Sequence, residues 1–259
     1  MRAQPWREQR LRQPGLKRAS IGRILRKPGA GRRLAGWLAA AAVIWPLCAC
    51  QTVSQSQTTS LLRVVDASYN APAVDVYAGK TEIARNVAAG TITNYAILAP
   101  GPVTITVDAT GTKEPLATLT TDLQAAGQHS VYLADAGSGF TAKLLRDQAE
   151  SAPVGEFSVR FLQTAEATGK VDVYYLGNGQ SPSDATPLVK DLAPGRVTGY
   201  LNVPDGSYQL VVTEAGSTTP VYTSSSATYA GGEVRTILIQ NEPTVHPEPV
   251  RVVVGDDLN

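Results

Sequence analysis

The chain has 259 residues, 43% of them hydrophobic and 17% charged, with a formal net charge of +1. That near-balance hides a division: residues 1–49 hold 11 of the 23 basic side chains and one of the 22 acidic ones, leaving 12 against 21, or about −9, from Cys50 onward. Such a surface disfavours nucleic acid and anionic lipid, which select basic partners, and two cysteines in all exclude a disulfide-stapled scaffold.

Residues 1–33 contain nine Arg and two Lys against the single Glu8, and Leu34–Leu47 follows as fourteen residues without a charge. A membrane-spanning helix needs about 20 apolar residues, whereas a basic segment, a run of roughly 10–14 and then small residues is the layout of a secretory signal. Both cysteines, Cys48 and Cys50, end that run. A disulfide between them would close a strained ring, and a metal site would need more ligands than His129 and His246 supply. A processing signal is the reading that remains. Leu47-Cys48-Ala49-Cys50 resembles a bacterial lipobox, with Leu47 three before the modified Cys50, Cys48 at the tolerant position and Ala49 as the small residue before the cut. The resemblance implies a signal peptide over 1–49, a diacylglyceryl group on Cys50 and an acylated amine, since stable anchoring takes more than one chain. Gln51, in place of an Asp that would favour inner-membrane retention, implies the outer membrane in a Gram-negative host.

Residues 50–60 are the lipidated Cys and a flexible tether, QTVSQSQTTS, without charge or apolar period. From Leu61 the chain repeats itself. Arg63 to Tyr77 lies over Arg160 to Tyr174 without a gap, both ending VDVY, and Gly90, Tyr95, Gly101, Val107 and Gly127 lie over Gly195, Tyr200, Gly206, Val212 and Gly232. The change of offset between the two sets falls at the polar insertion around Gly177 to Asp184. The repeats are placed at 61–148 and 157–242, joined by DQAESAPVGE, with 243–259 a C-terminal tail that includes His246.

Within each repeat, segments such as VDVY, VTITVDA and YQLVVTEA alternate or run apolar over four to eight residues. They are rich in Val, Ile, Thr and Tyr, and turn signals separate them. Short strands with no capped helical period predict an all-β fold, two tandem immunoglobulin-like β-sandwiches. The string RVVDAS, then APAVDVY, then Gly90, Tyr95, Leu98 and Pro100-Gly101, resembles the bacterial domain-of-unknown-function family 4397; repeat two keeps Arg160, VDVY, Tyr200, Pro204 and Gly206. The resemblance implies an exported protein and this fold, and no particular chemistry.

The residues themselves point away from catalysis. No nucleophile elbow, zincin, P-loop or dinucleotide fingerprint is present, so no cofactor, no metal and no enzyme activity are expected. His129 is read as a solvent-facing strand residue lying over Val234. Asp75 and Asp172 of the VDVY words are read as pointing to solvent or an edge, within reach of Arg63 and Arg160. Tyr95 and Tyr200 read as core or corner tyrosines. The expected role is a non-catalytic interaction or structural module of the envelope, held to the membrane by its lipid, with an envelope protein or a glycan as partner. A carbohydrate-binding module is the alternative; with no Trp left after the signal, stacking on a sugar would fall to Tyr69 and Tyr175.

Overall fold

The computed structural model describes residues 58–242 and 249–258. The expected signal peptide, lipobox and modified Cys50 lie outside the described residues. The fold is all-β, as the alternation predicts. The first repeat forms β1 (Ser60–Asp66), β2 (Val74–Ala78), β3 (Thr81–Val87), β4 (Ala96–Leu98), β5 (Gly101–Ala109), β6 (Pro115–Leu123), β7 (Gln128–Ala136) and β8 (Gly139–Arg146). One sheet runs β4-β1-β7-β8 and the other β3-β2-β5-β6. Leu62, Val64, Val131 and Leu133 of the first meet Val74, Val76, Ile105 and Val107 of the second in an aliphatic core.

The second repeat forms β9 (Glu156–Gln163), β10 (Val171–Leu176), β11 (Val189–Leu192), β12 (Arg196–Val197), β13 (Leu201–Pro204), β14 (Gly206–Glu214), β15 (Pro220–Thr223), β16 (Ala227–Tyr229), β17 (Val234–Asn241) and β18 (Val250–Asp256). Its sheets are β12-β9-β17-β18, with β13 also on β9, and β11-β10-β14-β15, with β16 on β14. Here aromatic rings join the aliphatic core. Phe157 stacks on Tyr229 at 4.6 Å between centroids, and Tyr175 stands edge-on to both, at 5.3 Å and 5.1 Å. Such pairs add about 0.5–1.5 kcal/mol each beyond their buried area.

The second sandwich reaches further than the sequence suggests. Residues 250–256, read as part of a tail, are a strand antiparallel to β17 from Asn241↔Val250 to Arg235↔Asp256. The boundary at 242 is therefore too early. VRVVV supplies apolar residues to the edge of a sheet whose core needs them: Val250 is buried and Val252 packs on the same cluster.

β1 and β9 are covered on both faces. In a strand, alternate residues point to opposite sides, so Leu62 and Val64 enter the first core while Arg63 and Val65 face the other way. Val159 and Phe161 enter the second core while Arg160 and Leu162 face away. Those second faces meet: Val65, Ala67, Tyr132 and Ala134 pack with Leu162 and Leu238 in one buried cluster. Both strands also pair in parallel, β1 with β7 and β9 with β17, and strands buried on both faces read as near-continuous apolar runs.

Candidate functional site

Within this contact between the sandwiches lies a polar network with approximate two-fold symmetry. Arg63 is 1% exposed and Arg160 2%. Each uses Nε on its own sandwich: Arg63 donates to Ser130 Oγ at 2.8 Å, and Arg160 to Thr236 Oγ1 at 2.9 Å. Each then crosses to the other. Arg63 pairs with Asp257 and donates to the Asp256 carbonyl at 2.8 Å; Arg160 pairs with Asp147 and donates to the Arg146 carbonyl at 3.0 Å.

The remaining capacity of both carboxylates is filled. Asp147 Oδ2 accepts from Tyr95 Oη at 2.6 Å and Ser130 Oγ at 2.7 Å. Asp257 Oδ2 accepts from Tyr200 Oη at 2.5 Å and Thr236 Oγ1 at 2.6 Å. The guanidinium of Arg63 lies over the Tyr95 ring, 4.8 Å from its centroid, and that of Arg160 over Tyr200 at 4.9 Å. Burial, and then the neighbouring carboxylate, push the Tyr95 hydroxyl far above the ordinary tyrosine range; burial also dominates the rise at Tyr200. Both phenols stay neutral donors. Tyr95 and Tyr200 thus belong to the contact between sandwiches, not to either core.

This pairing corrects the expected partners of Arg63 and Arg160. Asp75 and Asp172 are committed elsewhere, and neither points freely to solvent. Asp75 accepts from the Asn86 amide at 2.8 Å, the Thr110 hydroxyl at 3.1 Å and the Gly111 amide at 3.2 Å. Asp172 accepts from the Asp191 amide at 2.7 Å and the Gly216 amide at 2.9 Å. Asn86 and Asp191 occupy the left-handed region, with φ of 51° and 54°. The Asp of each VDVY word therefore holds a left-handed position in the neighbouring strand, β3 or β11, and the glycine of a turn. The Asn86 amide holds the Asp75 carboxyl below the usual carboxylate range, against the opposing effect of burial.

His129 also departs from expectation. It is 2% exposed, and its Nδ1 lies 3.2 Å from Ser60 Oγ and 3.4 Å from the Leu61 carbonyl. The two parallel ladders put Ser130 beside Arg63 and Thr236 beside Arg160. His129 therefore corresponds to Arg235, one residue beyond Val234. Of the two expected stacking residues, Tyr69 is 40% exposed on the loop after β1. Tyr175 is not presented to solvent: its ring is enclosed by Phe157, Tyr208 and Tyr229.

Asp66, at the end of β1, is fully buried, and its Oδ2 has no hydrogen-bond partner. Its Oδ1 accepts from the Ser68 amide at 3.1 Å and the Ser68 hydroxyl at 2.6 Å. Burial raises its pKa from 3.8 to about 6; Asp135 also raises it, while Ser68 and Arg251 pull it down. A carboxyl whose folded-state pKa is raised supports the fold below its unfolded value of 3.8 and loses that support as pH rises through about 6. Asp66→Asn is therefore expected to stabilise the protein at pH 7, by up to roughly 3 kcal/mol, and to leave it unchanged near pH 4. Urea unfolding of both forms at the two pH values checks this. An equal effect at both would assign the change to packing.

No curated protein sequence matches this chain. Among solved structures, it is similar to one described as α-glucan binding by a streptococcal virulence factor, at 11% identity and a TM-score of 0.24, covering 73% of this chain and 97% of that one. A second, of family 41 carbohydrate-binding modules from streptococcal virulence factors, is 10% identical with a TM-score of 0.23, covering 73% and 98%. The family model described as "Domain of unknown function (DUF4397)" matches residues 60–174, the whole first sandwich together with β9 and the first four residues of β10. Over those residues the chain is similar to that family.

Proposed function

We propose that this chain is an exported lipoprotein of the bacterial envelope, anchored through Cys50, whose two sandwiches act as one rigid, non-catalytic module. The fate of the buried charges carries the reading. Arg63, Arg160, Asp147 and Asp257 are spent on joining the sandwiches, and Asp75 and Asp172 on fixing a neighbouring strand and a turn. His129 Nδ1 faces a hydroxyl and a carbonyl, and no ion pair joins the ring to an acid among the described residues. A nucleophile and base need one another within hydrogen-bond reach and an approach for substrate; these groups supply structure.

The anchor is motivated by Leu47-Cys48-Ala49-Cys50 at the end of an uncharged run after a basic segment. β1 begins at Ser60, ten residues after Cys50. A flexible tether of that length spans on the order of 15–20 Å, so the module would stand close to its membrane. Mass spectrometry of detergent-extracted protein should find an acylated Cys50 as the N-terminal residue, followed by Gln51. A soluble protein with an unmodified Cys50 would remove the anchor from the proposal and leave the module.

A further inference from the structure

The outer faces of the two β2-type strands differ in a way that points to a ligand. Strand pairing sets Tyr77 beside Thr106 and Asp75 beside Asp108 in the first sandwich, and Tyr174 beside Val211 and Asp172 beside Thr213 in the second. Tyr77, Gly79, Thr106 and Asp108 therefore correspond to Tyr174, Leu176, Val211 and Thr213. In the second sandwich this face is closed. Tyr174, Leu176 and Val211 are 4%, 3% and 3% exposed, and Ala185, from the inserted loop between β10 and β11, packs on them. The first sandwich lacks that insertion, and its residues at the same place are polar or absent.

What is left is an open cleft of 290 Å³ lined by Tyr77, Gly79, Thr106, Asp108 and Lys113. Asp108 is only 7% exposed, yet its Oδ1 is buried without a hydrogen-bond partner. An acceptor left so costs about 1–3 kcal/mol relative to a satisfied one. The terminal torsion of an aspartate is soft, so either oxygen can turn to a donor entering the cleft. The Tyr77 hydroxyl lies 3.4 Å from Glu82 Oε2, which steadies a half-buried ring at the cleft wall.

We propose that this cleft is a binding subsite for an uncharged carbohydrate. Asp108 and Lys113 offset one another, as do Glu82 and Arg85 beside Tyr77, and Asp75 next to Asp108 leaves a slight negative excess, which selects against polyanions. The tyrosine ring offers an apolar face for the C–H side of a pyranose. Asp108 and the Thr106 hydroxyl accept from sugar hydroxyls, and Lys113 donates to a ring or hydroxyl oxygen. Pockets for small ligands span about 300–1,000 Å³, so this one lies at the lower bound and takes a single sugar residue, at a chain end or within a chain crossing the sheet. The site differs from the Tyr69 and Tyr175 pair suggested by the sequence: Tyr69 lies elsewhere and Tyr175 is enclosed.

The test uses full-length protein in detergent, detected through a tag after Asn259, on an array of neutral oligosaccharides built from hexoses, N-acetylhexosamines, pentoses and heptoses. Binding to at least one neutral glycan is expected. Tyr77→Ala should weaken it about tenfold or more, and Asp108→Asn and Lys113→Ala by about threefold or more, in the manner of central contact residues. Tyr69→Ala should leave it unchanged. Lys113 is exposed, so its variant reports on the site even if the Tyr77 variant is impaired in folding. Circular dichroism melts of each variant separate loss of contact from loss of fold. No retained neutral glycan, retention that survives both Tyr77→Ala and Lys113→Ala, or capture of acidic glycans alone would overturn the assignment.

Discussion

Ending the chain at Glu242 is expected to abolish the second sandwich and loosen its contact with the first. The cut removes β18, which pairs with β17 over seven positions from Asn241↔Val250 to Arg235↔Asp256. Losing the buried side chain of Val250 forfeits about 1.5–3 kcal/mol. Losing Asp257 leaves the buried Arg63 with only Asp147, 3.7 Å from its Nε, and breaking a buried pair costs up to about 3–5 kcal/mol more. Those two losses, with the opened β17 edge, rival the roughly 5–15 kcal/mol that holds a domain together. Urea unfolding followed by circular dichroism should show the truncated chain with its midpoint near zero denaturant or with an early separate transition. One transition at the full-length midpoint would show that β18 is dispensable, and the boundary at 242 would stand. The same reasoning bears on separate expression of 61–148 and 157–242. Each piece exposes half of the cluster formed by Val65, Tyr132, Leu162 and Leu238 and deprives one arginine of its partner.

The strands were legible in the sequence because burial on one face writes a period of two, and because two copies write it twice. The positions of Arg63, Arg160, Tyr95 and Tyr200 were legible as repeated residues. Their partners were not. Asp147 falls in what reads as a linker and Asp257 in what reads as a tail, and the words around them, KLLRDQ and VVGDDL, share little beyond that one acid. A pairing that crosses from one repeat to the other leaves no local spacing to find. Local periodicity likewise could not tell that β1 and β9 are covered on both faces, although alternation does set Tyr175 with Val171 and Val173, and His129 with Val131 and Leu133, on the core faces of β10 and β7. The cleft at Tyr77 was hidden for a different reason. It becomes visible only by setting one repeat against the other, where an insertion closes in the second copy what stays open in the first.

A double-mutant cycle on Arg63 and Asp257 is expected to show strong coupling. Each residue is buried, at 1% and 0% exposure. Arg63→Met leaves Asp257 with two hydroxyl donors and without its paired guanidinium; Asp257→Asn leaves a buried guanidinium facing an amide, with Asp147, 3.7 Å from its Nε, as the carboxylate that remains. Removing one partner of a buried pair costs about 3–5 kcal/mol, mostly as the penalty on the charge left behind, whereas removing both charges can be far milder. The double variant should therefore lose less than the sum of the singles, by about 1.5 kcal/mol or more. Asn at 257 keeps an oxygen for the hydroxyls of Tyr200 and Thr236, which otherwise would be orphaned and would obscure the result. The symmetry of the network makes a second demand: the cycle on Arg160 and Asp147 should give a coupling of similar size. Because all four groups are out of solvent, raising the salt should change neither value much, unlike a pair on the surface. Additive losses in both cycles would mean that the two arginines act as isolated packing elements, and that the apolar cluster alone joins the sandwiches.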